Sequence, residues 1–105
     1  MANLTGSFAV TKEDGSLYHK ESMEFPNVSA EQVGRLSEYM DSCEKELKKI
    51  TGGNGPLTIT LSGDIDGVAG PGATATGITK KELVRFQRKM HNFQDKLLKY
   101  AEESL

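Results

Sequence analysis

The chain of 105 residues has no tryptophan and one cysteine, and each shortage narrows what it can be. A single cysteine cannot close an internal disulfide, so Cys43 reads as a buried structural thiol on an apolar helix face. A nucleophilic role would need a histidine partner, and His19 and His91 offer no local pattern for one. They lack metal-ligand spacing as well. His91 falls well off the apolar helix face, and His19 with Glu21 two residues on reads as an exposed strand pair. No stretch approaches the roughly 18 consecutive apolar residues of a membrane span, so no membrane partner is expected. Met1-Ala2-Asn3-Leu4 opens no cationic, apolar leader pattern, which makes a cytoplasmic location the expectation. The sequons Asn3-Leu4-Thr5 and Asn27-Val28-Ser29 are then chance matches.

Several signatures are present only in part. The Gly-Lys-Ser/Thr ending of a phosphate-binding loop is missing, and Gly72 to Gly77 lacks the paired glycines and parallel-strand context of a dinucleotide fingerprint. Asp64-x-Asp66-Gly67 begins like a calcium loop. With Asp64 as first ligand, however, Val68 and Ala75 fall where a third oxygen ligand and the closing acid should stand. A turn with solvated aspartates is the simpler reading. No Ser/His/Asp, Cys/His or paired-carboxylate arrangement assembles from the spacing. The expectation is a non-enzymatic protein with no catalytic residue, no bound metal and no cofactor.

What is present is a pattern written twice, fifty residues apart. Val33, Leu36, Met40, Cys43, Leu47 and Ile50 recur as Leu83, Phe86, Met90, Phe93, Leu97 and Tyr100. These spacings trace one apolar helix face. The entry chemistry repeats too: Ser29 is followed by Gln32 and Thr79 by Glu82, the capping-box pattern. Val28 can staple onto Val33, and Ile78 onto Leu83. Helices are predicted over about Ala30 to Ile50 and Lys80 to Ala101.

Each helix follows strand signals. Gly6 to Phe25 reads as a hairpin turning at Asp14-Gly15, and Pro26 ends its second strand. A two-residue turn would set Val10 against His19 and Phe8 against Glu21. A three-residue loop with Gly15 left-handed pairs Val10 with Tyr18 instead, the better match. Met23 and Phe25 then have the wrong parity, so a bulge is expected between His19 and Ser22. Leu57, Ile59 and Leu61 alternate with polar residues as a half-buried strand. A short strand near Ala73 to Thr76 would complete a second hairpin with tiny inward side chains.

The predicted fold is therefore α+β: a ββα-ββα pseudo-repeat with an antiparallel sheet of three to four strands and two amphipathic helices packed on one face. Residues 1–105 form one domain, its halves 1–50 and 57–105 joined by the Gly/Pro linker 51–56. At about 50 residues neither half holds much core alone, so the halves are expected to share one.

Two surface features carry functional expectations. At about 100° per residue, Lys81, Arg85, Arg88, Lys96 and Lys99 fall within roughly 80° of one another, with Asn92 filling the gap. The matching stripe on the first helix, Glu31, Arg35, Glu38, Ser42, Glu46 and Lys49, is mixed in charge. Residues 1–50 carry 6 basic and 9 acidic side chains, residues 51–105 carry 7 and 6. The basic row suits a protein partner or the acidic half of a sister subunit, giving a protein-interaction module, in the first instance a homodimer. An acidic pI near 5.7 and the lack of interleaved aromatics disfavour nucleic acid. The second feature is the glycine-rich run from Gly63 to Gly77 ahead of the second helix. Gly70, Gly72, Gly77, Thr79 and Lys80 there suit a small anionic, nucleotide-like ligand, the alternative reading.

Overall fold

A computed structural model describes residues 2–50, 53–70 and 72–103, excepting the side chains of Leu97, Leu98, Tyr100 and residues 101–103. The linker positions Thr51 and Gly52, and the apolar face positions Leu97 and Tyr100, lie outside that description. In chain order the elements are β1 (Ala2–Thr11), β2 (Leu17–Val28), α1 (Ala30–Lys48), β3 (Leu57–Ile65), β4 (Val68–Ala69), β5 (Ala73–Ile78) and α2 (Lys80–Glu103). The strands form one antiparallel sheet in the order β2-β1-β3-β4, with β5 also pairing β3. The fold is α+β, as predicted, with the two-residue β4 an unforeseen addition.

The first hairpin turns on three residues, as expected. Lys12 N–H donates to the Ser16 carbonyl (2.9 Å) and Gly15 N–H to the Lys12 carbonyl (3.0 Å). Gly15 is left-handed at φ 84°. Asp14 Oδ1 accepts from the Ser16 hydroxyl (2.6 Å) and N–H (2.9 Å), and these bonds hold its carboxyl below the usual range. The bulge comes earlier than expected. Thr11 pairs with Leu17 and Val10 with His19, so the extra residue is Tyr18 rather than one between His19 and Ser22. Val10 therefore does not face Tyr18, which is 45% exposed.

The physical reason lies further along β2. Met23, Phe25 and Val28 must share a face with Leu4, Phe8 and Val10, and a correction beside the turn resets the whole strand at once. His19 and Glu21 are carried inward with them. A second irregularity falls at Asn27 (φ 57°), whose N–H donates to Asn3 Oδ1 (3.0 Å). β2 runs on through Pro26 instead of ending there. It is an edge strand, where a missing N–H costs no ladder bond.

β3 buries Leu57, Ile59 and Leu61 as its alternation predicts, and β1 lies beside it with Phe8 opposite Leu61 and Val10 opposite Ile59. Of the two aspartates expected in a turn, Asp64 lies within β3, where its carboxylate accepts from the Thr5 hydroxyl, and only Asp66 enters the turn. Asp66 (φ 53°) and Gly67 (φ 82°) form a two-residue connection between Ile65 and Val68, the left-handed pair a tight hairpin requires. Asp66 also exchanges bonds with Asn3: Oδ1 accepts the Asn3 N–H (2.8 Å), and its own N–H donates to the Asn3 carbonyl (2.8 Å). In β5 the inward Ala73 and Ala75 are small and half-buried, as read from the sequence.

Both helices open on the predicted caps. Ser29 Oγ accepts from Gln32 N–H (3.2 Å) while Gln32 Oε1 accepts from Ser29 N–H (2.8 Å). Thr79 and Glu82 repeat the exchange at 3.2 and 3.1 Å. Each reciprocal pair satisfies two orphan backbone donors.

The core falls into two clusters. The larger unites Phe8, Val10, Leu57, Ile59, Leu61 and Ile78 of the sheet with Cys43 and Leu47 of α1 and Leu83, Phe86 and Met90 of α2. The smaller joins Leu4, Val28 and Leu36. Paired glycines, Gly6 and Gly63, leave a dent in the sheet, and Met40 lies in it. A Cβ on Gly63 would stand 2.1 Å from Met40 Cε.

Cys43 is buried in the larger cluster, as predicted. Burial first, and the charge of Glu44 second, push its thiol up to about 11. Native Cys43 should therefore react with an aromatic disulfide at pH 8 roughly a hundredfold more slowly than the same thiol in urea. Equal rates would show that the face is open. Stability should also fall as pH climbs from the ordinary 9.0 toward 11, because only the unfolded chain ionises freely there.

Candidate functional site

α2 is amphipathic in the sense its periodicity requires. Leu83, Phe86 and Met90 are buried and Phe93 is half-buried. The opposite side carries Lys81, Arg85, Arg88, Lys96 and Lys99, all exposed. None of the five has an ion-pair partner among the described residues. Lys96 Nζ stands 5.9 Å from the centroid of the Phe93 ring, within cation–π reach.

Lys89, off this row, behaves differently. Its Nζ donates to Glu46 Oε2 (2.8 Å) on α1, and Lys49 Nζ reaches Glu46 Oε1 (3.2 Å). Those bonds, from Lys89 first, hold the Glu46 carboxyl below its usual range. The helices are thus tied by a cation that points along their contact, while the basic row stays in solvent.

The glycine-rich segment has local work at most of its expected ligand positions. The Gly77 carbonyl accepts from Gly53 N–H (2.8 Å) and Gly55 N–H (3.1 Å). Gly77 is left-handed at φ 68°, and a Cβ there would lie 2.2 Å from the Gly53 carbonyl oxygen. A Cβ on Gly72 would lie 2.7 Å from the Leu61 oxygen. Gly70 N–H donates to the Gly63 carbonyl (2.9 Å). Thr79 is engaged with Glu82, whose carboxylate already stands at the helix N-terminus, and Lys80 is exposed.

One constellation was not legible from spacing. His19 Nε2 lies 3.3 Å from Glu21 Oε2, and His91 Nε2 lies 3.2 Å from Glu21 Oε1. Both histidines of the chain thus converge on one carboxylate. The expected exposed pair of His19 and Glu21 is corrected here: the bulge at Tyr18 turns both toward α2, and the Glu21 side chain is only 26% exposed. His91 stays 54% exposed, as its helical phase predicts, yet its ring clasps β2. The His19 ring also meets Phe8 edge-on at 6.0 Å. Strand parity after the turn was the one signal that could have found this cluster.

Glu21 borders a cavity of about 60 Å³ lined by Met23, Phe25, Met40, Cys43 and Met90 among others. Among the described residues no group of three or more potential ligands is placed to hold a metal ion, and no helix is long and apolar enough to cross a membrane. Across the clasp, the hydrogen bond between His91 Nε2 and Glu21 Oε1 ties α2 to β2. Comparison with known proteins returns no matching family model, no matching curated protein and no matching solved structure.

Proposed function

We propose that the chain is a non-enzymatic protein-interaction module that receives an acidic protein surface along α2 and works as a homo-oligomer in the cytoplasm. The observation that carries this reading is the row Lys81, Arg85, Arg88, Lys96 and Lys99, exposed and unpaired among the described residues while neighbouring Lys89 is taken up by Glu46. Unpaired cations in a row keep their full charge for a partner. We read the two hairpin–helix units as a pseudo-repeat with both helices on one sheet face. The matching caps, and a larger core cluster fed by both helices, support that arrangement.

A small-anion reading of Gly70, Gly72, Gly77, Thr79 and Lys80 has weaker support. The Glu82 carboxylate accepts the Thr79 N–H that an anion would want, and a second negative charge there is repelled.

The test is binding of a fluorescent poly-glutamate peptide, with a poly-lysine peptide as control. Wild-type protein should bind the acidic peptide, more weakly as salt rises. Combined Arg85→Glu, Arg88→Glu and Lys96→Glu should reduce that affinity at least tenfold, roughly 1.4 kcal/mol, with the circular dichroism spectrum unchanged. Equal affinity in the triple variant would remove the row from the argument.

A further inference from the structure

β2 stands at one end of the sheet order, so one side of its backbone has no strand beside it among the described residues. Its two irregularities bound the part that can pair. One-to-one register with β1 runs without break from the Val10–His19 pair to the Leu4–Phe25 pair. The regular stretch is therefore His19 to Phe25, and its central residue is Ser22. Outward from this stretch point Lys20, Ser22 and Glu24, all exposed. Inward lie His19, Glu21, Met23 and Phe25, all half-buried.

We infer that two copies of this chain associate edge to edge through β2, antiparallel, about a two-fold axis at Ser22. This deepens the homo-oligomer part of the reading above and does not depend on the cationic row of α2. The register follows from the side chains. Pairing about Ser22 sets Lys20 opposite Glu24 of the second copy, and Glu24 opposite Lys20, so both outward charges are matched twice. On the inner side Glu21 meets Met23 and His19 meets Phe25, so the edge of the smaller cluster at Met23 and Phe25 lies against the histidine clasp of the second copy.

Neighbouring registers do not achieve this. An axis at Glu21 or Met23 leaves a charge opposite Ser22. An axis at Lys20 or Glu24 sets that charge against its own copy, which is destabilising. Half-step registers would oppose inward and outward side chains, which the pleat forbids. Exposed edges are ordinarily blunted by bulges, proline and charge. Here Tyr18 and Pro26 blunt the ends, while the charges between them complement one another. A perpendicular two-fold keeps the helices of both copies on the same side of the joined sheet.

Sedimentation equilibrium at rising protein concentration tests this. Wild-type protein should form a dimer. Lys20→Glu and Glu24→Lys should each weaken it roughly tenfold by opposing like charges at both symmetric positions. The double variant Lys20→Glu/Glu24→Lys should restore wild-type affinity, since it swaps each pair without losing any. Ser22→Cys should yield a disulfide-linked dimer under mild oxidation, while wild type with only the buried Cys43 does not. Circular dichroism should show all variants folded, because Lys20, Ser22 and Glu24 are exposed. A wild type that stays monomeric, single variants that dimerise unchanged, or a double variant that fails to recover would each overturn the inference. A monomer that still binds poly-glutamate along α2 would leave the other reading standing.

Discussion

Gly77→Ala is expected to destabilise the fold by about 3 kcal/mol, read as a lower midpoint in urea unfolding. An alanine held left-handed costs about 1–2 kcal/mol by itself. Its Cβ would also sit 2.2 Å from the Gly53 carbonyl oxygen, which cannot swing away as a side-chain tip can. The backbone has to part, loosening the Gly53 and Gly55 N–H bonds to the Gly77 carbonyl, each worth about 1 kcal/mol net. Gly15→Ala is the control. It is also left-handed (φ 84°) but nothing stands within 4 Å of its Cβ, so only the conformational term applies. Equal losses at the two sites would show that the Gly53 contact is not rigid. The comparison also cleans up any search for an anion at this segment: lost binding in a Gly77 variant would report damage to the fold, whereas exposed Lys80→Ala tests the ligand itself.

Phe8→Ala should cost about 3–5 kcal/mol, the range for emptying a buried aromatic site. Phe8 is only 2% exposed on a central strand, and its ring lies 5.6 Å from that of Phe86 on α2. Closure of the gap by α2 is restrained, since Phe86 is itself buried and the helix is held by His91 at Glu21 and by Lys89 at Glu46. Tyr18→Ala removes a ring of similar size from the same hairpin. Tyr18 is exposed on the bulge, and its loss should stay within about 0.5 kcal/mol. Similar costs for the two would mean that the aromatic contact between sheet and helix contributes little.

The parts legible in the sequence were those set by local chemistry. A 3.6-residue apolar period and an Ser/Thr-x-x-Gln/Glu cap are complete within one helix, so both starts fall where predicted. The alternation in β3 and the left-handed Gly15 loop depend likewise on near neighbours. The bulge was expected from a parity conflict, but parity says only that one residue must be extra. Its place at Tyr18 reflects the whole of β2 settling against β1. That one step decides whether His19 and Glu21 face water or α2, and so the histidine clasp stayed hidden. His91 lies seventy residues from Glu21, and no periodicity encodes which strand a helix crosses. β4 was missed because Val68-Ala69 is too short for a pattern. The exposure of the cationic row was legible, because a helix face is fixed once its apolar face is known.

β1 has two neighbours of very different reach. β2 follows it directly, whereas β3 arrives only after α1 and the linker, setting Thr11 beside Thr58 and Leu4 beside Ile65. A growing polypeptide therefore presents the first hairpin and α1 while the strand that flanks them is still unsynthesised. Until that strand emerges Phe8 and Val10 have Cys43 and Leu47 of α1 beside them but lack Leu57, Ile59 and Leu61 of β3. Closing a loop of this length is the slow, entropically costly event in assembling such a sheet. The timing of the whole molecule is thus lodged in the one seam where β1 meets β3.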